Sequence, residues 1–131
     1  MKTKRKISAV YLSGPMGGYE DFNRPAFDEA AANLRKAGFT VFVPGEHEEY
    51  DEAERASRTI SKKKREFYMS RDLIWILEMA DAVVVLPGWE NSEGAKLEVA
   101  VAQQVGVPVF EYETSALLGR PVWLCVPGKD D

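Results

Sequence analysis

Short apolar runs alternate along this chain with stretches of helical periodicity, and that alternation restricts the fold more than any other feature. Residues 7–12, 39–43 and 82–86 are such runs, closed by Gly14-Pro15, Pro44-Gly45 and Pro87-Gly88. Residues 107–110 and 122–126 read as two further strands. The run at 82–86 is so uniformly apolar that it suits a central parallel strand covered on both faces. After the first run Asn23 is placed to cap a helix, with Pro25 in its first turn. Phe27, Ala30, Ala31 and Leu34 then recur at helical spacing, and Gly38 supplies the stop. Leu73, Ile76, Leu77 and Ala80 mark a second helix, and a third spans about residues 92–105, ending near Gly106. Strands alternating with helices imply right-handed crossovers. The predicted fold is therefore α/β: a doubly wound, flavodoxin-like parallel five-stranded sheet with helices on both faces.

Composition narrows the function classes. A chain of 131 residues, 45% hydrophobic and 29% charged, fits one domain spanning residues 1–131, with a core that needs no disulfide. The lone Cys125 has no partner within the chain and suits a reducing, cytoplasmic setting. A net charge of −4 and a pI of about 5.1 argue against nucleic acid as the partner. Lys2, Lys4, Arg5 and Lys6 resemble the start of a signal peptide, but the apolar run after them is short and lacks a small-residue cleavage pattern. No stretch approaches the roughly 20 apolar residues of a membrane span. One histidine and one cysteine offer no metal-ligand spacing.

In a doubly wound sheet the ligand crevice lies outside the carboxyl ends of the strands, where strand order reverses. For the order 2-1-3-4-5 that point falls between the first strand and the strand at 82–86, so the loops at 13–18 and 87–94 face each other. The first loop, Ser13, Gly14, Pro15, Met16, Gly17 and Gly18, lacks the lysine and spacing of a P-loop and the G-x-G-x-x-G of a dinucleotide fold. Its glycines still let backbone amides approach a sugar or phosphate, or else simply make a tight turn. Tyr11 either points into the same crevice or fills core.

Ser92 and Gly94 open a helix whose free amides and dipole favour an anion, although serine is also an ordinary N-cap. Glu98 lies three residues after Ala95 and four before Ala102, on their apolar face, so it is expected to be partly buried. Such a carboxylate needs a basic partner or marks a functional position. Asp72 falls in line with Trp75, Ile76 and Met79, or caps its helix. Asp81 reads as a structural side chain satisfying backbone amides. Trp89 either stacks on a planar base or covers the loop. His47 reads as a solvated loop residue, and residues 46–65, acidic then basic, read as solvated or mobile, the two charge runs as solvated helix faces, with a lid over the site as the alternative. A carboxylate on an apolar helix face, near a phosphate-binding helix terminus, suits displacement at a sugar anomeric carbon.

Tyr11-Leu12-Ser13-Gly14-Pro15-Met16, then Arg71-Asp72-Leu73 with Ala80-Asp81-Ala82-Val83-Val84, then Ser92-Glu93-Gly94-Ala95-Lys96-Leu97-Glu98 follow one another here. In that order they resemble the nucleoside 2-deoxyribosyltransferase family and its relatives, the deoxynucleoside 5′-monophosphate N-glycosidases. The similarity spans about residues 7–110. Leu86-Pro87-Gly88-Trp89-Glu90-Asn91-Ser92-Glu93-Gly94-Ala95 is similar to a phage-associated branch whose members are mostly of unknown function. The resemblance implies that Glu98 attacks C1′ to form a glycosyl-enzyme, and that Asp72 contacts the sugar or helps protonate the leaving base. It implies that Tyr11 positions the nucleophile, that the turn at 14–18 lies near sugar and phosphate, and that Ser92 contacts a 5′-phosphate. Gly17 stands where the N-glycosidase relatives carry a basic residue, so phosphate binding would rest on amides, Ser92 and a side chain of the basic run. Lys96 and Trp89 are bulky neighbours for the glutamate. A homodimer or larger assembly is implied, with contacts expected from residues 111–118, and no metal or organic cofactor.

The expected function is cleavage or exchange of the N-glycosidic bond of a nucleoside or nucleoside 5′-monophosphate, with a small-molecule nucleotide or nucleoside as partner. Water resolving the intermediate makes a hydrolase, and a second base makes a transferase. A non-catalytic nucleotide or ADP-ribose sensor, an NAD-consuming glycohydrolase and a scaffold protein are the alternatives.

Overall fold

The computed structural model describes residues 7–115 and 120–125. Lys2, Lys4, Arg5, Lys6, Val126 and the part of the expected contact tail at 116–118 lie outside the described residues. Strand β1 (Ala9–Ser13) leads through a turn to helix α1 (Arg24–Lys36) and strand β2 (Thr40–Phe42). Helices α2 (Glu52–Ser57) and α3 (Lys62–Glu78) follow, then β3 (Ala82–Val85), α4 (Glu93–Gln104), β4 (Val109–Ser115) and β5 (Arg120–Cys125). The sheet order is β2-β1-β3-β4-β5, so the strand order reverses between β1 and β3.

Four of these strands are parallel, with Val10 opposite Val41 on one side and Ala82 on the other. The expected five-stranded parallel sheet needs correction at its edge, because β5 runs antiparallel to β4. Only residues 116–119 separate the two strands. A parallel return needs a crossover of a dozen or more residues, whereas a short connection makes a hairpin. Among the described residues no helix is long and apolar enough to cross a membrane.

The period of two in β1 divides the core. Val10 and Leu12 face α1 and pack with Phe27, Ala30, Ala31 and Leu34. Tyr11 faces the other way, into a second cluster with Val83, Val85, Ile76 of α3, and Val99 and Ala102 of α4. Helices therefore cover both faces, and β3, buried at every position, contributes to both clusters. Asp81 anchors the start of β1, its Oδ2 accepting from the Ser8 and Ala9 amides at 2.9 Å each.

One local expectation changes. Asn23 precedes α1 but does not cap it with its side chain; it is left-handed (φ 63°), and its Nδ2 donates to the Pro15 carbonyl at 2.9 Å. Asp21 and Phe22 are left-handed as well, a run that disfavours L-residues and turns Phe22 inward to stack on Tyr50 at 4.0 Å between centroids. Residues 46–65 hold α2 and the start of α3, in keeping with charge runs on solvated helix faces. Asp51 and Glu54 form a reciprocal capping box for α2, and Ser61 caps α3 by accepting from the Lys64 amide. The basic residues 62–65 occupy the first turn of α3, where the helix dipole disfavours cations, so composition hides a helix start.

Candidate active site

Glu98 projects from α4 toward β1 and is buried, 6% exposed. Tyr11 and Ser13, two apart on β1, share the face that meets it. The Tyr11 hydroxyl donates to Glu98 Oε2 at 2.7 Å and the Ser13 hydroxyl to Oε1 at 2.6 Å. Neither partner is cationic. Burial therefore dominates, and the Glu98 carboxyl is pushed up to about 8 despite the two hydroxyl bonds that favour its anion. The Tyr11 hydroxyl is itself driven well above its ordinary range, first by burial and then by the Glu98 and Asp72 charges.

Asp72, from α3, is 4% exposed and reaches the same place. Arg71 grips its Oδ1 through Nε at 3.1 Å and Nη2 at 2.6 Å. The same Nη2 lies 3.3 Å from Glu48 Oε2, and Nη1 donates to the His47 carbonyl at 2.7 Å. Tyr50 donates its hydroxyl to the other Glu48 oxygen. One guanidinium thus holds two buried carboxylates. Burial still raises both Asp72 and Glu48 from the usual carboxylate range, with Arg71 opposing it. Arg71 also lies over the Tyr68 ring, 5.1 Å from its centroid. His47, read from sequence as solvated, is exposed, and one face of its ring stacks on Phe42 at 4.6 Å.

Glu98 and Asp72 open onto a cavity of about 380 Å³, within the size range of small-molecule sites. Gly14, Pro15, Met16, Gly17 and Gly18 line it on the β1 side, and Ser92 and Gly94 on the α4 side. The two loops expected to face each other across the strand-order reversal do so. Ser92 is also the N-cap of α4, its Oγ accepting from the Ala95 amide at 3.2 Å. Gly14 is required by close approach, since a Cβ there would stand 3.0 Å from Leu86 Cβ. Gly14→Ala is expected to cost about 1–3 kcal/mol of stability by overpacking against Leu86, measured by chemical denaturation. An unchanged midpoint would show that the turn has room to move.

Two expected lining residues, Ser13 and Trp89, lie elsewhere. Ser13 and Tyr11 are fully buried behind Glu98 and support it rather than lining the cavity. Trp89 belongs to a short helical turn (Trp89–Asn91) that folds the indole back onto the Tyr11, Val85 and Val99 cluster, where its Nε1 is buried without a partner. It is therefore not placed to stack on a base. Met79, expected in line with Asp72, is 55% exposed.

The structure adds Glu48, Tyr50 and Arg58, which line the cavity from the segment read as solvated, and Arg65 of the basic run lines it as well. The Asp51-to-Glu54 spacing was a usable signal for that helix, but nothing distinguishes Glu48 among its acidic neighbours. Tyr68 and Met69 lie one turn from Asp72 on the same face of α3. Among the described residues no group of His, Cys, Asp or Glu side chains is arranged to hold a metal ion. A buried carboxylate with neutral donors on both oxygens serves as a nucleophile when ionised and as a proton donor when not.

Solved structures of other proteins share this fold, two of them as follows. A 2-deoxyribosyltransferase from the psychrotolerant bacterium Bacillus psychrosaccharolyticus matches with a TM-score of 0.59 and 24% identity, over 85% of this chain and 79% of its own. A conserved protein from Enterococcus faecalis V583 matches with a TM-score of 0.58 and 18% identity, over 85% of this chain and 66% of its own. At these identities the likeness is one of architecture. Among curated proteins none matches the sequence. The family described as a domain of unknown function, DUF4406, matches residues 8–111, which take in β1 through the first part of β4 and every cavity residue named above, and the chain belongs to that family.

Proposed function

We propose that the protein cleaves or exchanges the N-glycosidic bond of a nucleoside or nucleoside 5′-monophosphate, with Glu98 as the nucleophile. One observation carries this reading: a carboxylate buried at the floor of a ligand-sized cavity, with no cation on it and with both oxygens held by hydroxyls. A Glu98 oxygen attacks the anomeric carbon, the carbon–nitrogen bond breaks, and the base leaves with a proton. The resulting glycosyl ester is resolved by water or by a second base. Asp72 faces the same cavity, and burial favours its protonated form, which suits it to donate to the leaving base. The shared fold with a 2-deoxyribosyltransferase supports the reading. Pairing of two copies is part of it, supported by Phe67, Ile74 and Leu77, which expose an apolar stripe along one face of α3.

The test is chromatographic measurement of free base from nucleosides, their 5′-monophosphates and NAD, with and without an acceptor base, together with mass spectrometry for a glycosyl adduct on Glu98. Base release with the adduct upholds the reading. Ligand binding with no release from any compound replaces it with a sensor. Asp72→Asn is expected to lower kcat by about 10²- to 10⁴-fold while KM changes far less. An equal loss in binding would remove the acid role.

A further inference from the structure

Glu48 is a buried carboxylate at the cavity for which the mechanism above has no task. Its side chain is 5% exposed, and it lies beside Asp72, because Arg71 Nη2 contacts both, at 2.6 Å from Asp72 Oδ1 and 3.3 Å from Glu48 Oε2. Both carboxylates line the cavity, and Arg71 does not. The rest of its guanidinium is spent as well, Nε donating to Asp72 and Nη1 to the His47 carbonyl. Tyr50 gives its hydroxyl proton to Glu48 Oε1, and the Tyr68 hydroxyl donates to the Glu49 carbonyl at 3.3 Å. A ligand group at Glu48 therefore meets an acceptor, with none of these donors free beside it.

The two carboxyls are held differently. Glu48 accepts on both oxygens, from Tyr50 and from Arg71, whereas both Arg71 bonds to Asp72 fall on Oδ1. With Asp72 as the proton donor, the cavity shows an acceptor next to a donor. That pair fits a ring nitrogen beside an exocyclic amino group, the edge that adenine presents at N7 and N6 and cytosine at N3 and N4. The oxo counterparts of these bases put a carbonyl oxygen in place of the amino group, against the Glu48 carboxylate. Phe22 and Tyr50, stacked at 4.0 Å, join Met16 and Met69 in lining the cavity with apolar surface suited to the faces of such a ring.

We propose that Glu48 selects the base, its carboxylate accepting from the exocyclic amino group of an adenine or cytosine nucleoside while Asp72 meets the adjoining ring nitrogen. The pairing of Asp72 with that nitrogen rests on the glycosidic reading above; the preference of Glu48 for an amino group does not. In the reaction Glu98 bonds to the anomeric carbon, the electrons of the carbon–nitrogen bond leave with the base, and the Asp72 proton goes to the ring nitrogen. Glu48 gives up no proton and forms no covalent bond, so it governs which base is accepted.

The experiment measures kcat/KM for base release from deoxyadenosine against deoxyinosine and from deoxycytidine against deoxyuridine, as nucleosides and as 5′-monophosphates, for the wild type and Glu48→Gln. The wild type is expected to favour the amino member of each pair it turns over by about 10- to 100-fold. Glu48→Gln, whose amide offers the base a donor as well as an acceptor, is expected to lose most of that ratio. A wild type without the preference, or a variant that retains it, overturns the proposal. If no compound releases base, the glycosidic reading fails, and calorimetric binding of the same compounds decides the role of Glu48. Tighter binding of the amino members, lost in the variant, upholds it; equal binding, or none, overturns it. Circular dichroism checks folding. If Glu48→Gln is unfolded, Glu48→Asp carries the test, since it keeps a charge for Arg71 but draws the carboxylate back by a methylene group; loss of the ratio upholds the proposal and an unchanged ratio overturns it.

Discussion

Glu98→Gln is expected to leave the fold in place and to lower base release at least about a thousandfold, because the amide cannot form the glycosyl ester. Full activity in that variant would end the covalent mechanism. The wild-type pH profile carries the same signature. The attacking form is the anion, and burial pushes the carboxyl up to about 8, so the Glu98 limb of kcat/KM is expected to climb from neutral pH toward that value, while loss of the Asp72 proton works against it as pH rises. Stability moves the opposite way. Between the ordinary value of 4.5 and about 8, folded Glu98 keeps a proton that the unfolded chain has released. The unfolded state then binds fewer protons, so the unfolding free energy falls as pH rises through that window. The Glu98→Gln variant lacks this term. Its thermal midpoint is expected to exceed that of the wild type above the window and to converge with it below. Parallel melting curves for the two proteins across pH would show that the carboxylate is not desolvated as the structure has it.

Arg71→Met is expected to be the most destabilising substitution at the site, costing about 3 kcal/mol at neutral pH, the range for leaving buried charges unpaired. The side chains of Asp72 and Glu48 are only 6% and 5% exposed, and Arg71 contacts both. Without the guanidinium, the burial that already raises these two carboxyls loses its largest counterweight at Asp72 and keeps the Tyr50 hydroxyl against it at Glu48, and their folded-state values rise further above the unfolded ones. Stability from a raised carboxyl is present at low pH and lost as pH rises, so the deficit of the variant is expected to shrink on acidification. Urea denaturation at neutral and acidic pH measures it. Adding Asp72→Asn and Glu48→Gln to Arg71→Met is expected to recover most of the loss, since the carboxylates then need no cation. A deficit independent of pH would assign the effect to lost packing of the Arg71 stem on Tyr68.

The helix and strand periodicities are local, and they were legible. The apolar spacing of Phe27, Ala30, Ala31 and Leu34 placed α1, and the uniform run at 82–86 placed β3 in the middle of the sheet. The direction of β5 was not legible from its residues, because a strand pattern is the same in either direction; the short link from β4 carried that information. In residues 46–65 the charge runs read as solvated helix faces, but nothing in the charge pattern marks Glu48 and Tyr50 as lining the cavity.

At the site, sequence spacing alone put Glu98 on the apolar face of α4 and opposed the loops at 13–18 and 87–94 across the crevice. A helical period states which face a residue occupies, and a parallel α/β order states where the strands reverse. Neither states which side chains from separate elements touch. The hydroxyls on Glu98 come from 87 and 85 residues away, Arg71 reaches back 23 residues to Glu48, and the indole of Trp89 turns into core instead of the cavity. Those meetings depend on how β1, α3 and α4 pack against one another. The sequence therefore determined where a buried carboxylate would be, and only the tertiary structure decided that neutral hydroxyls hold it while the cations stand elsewhere.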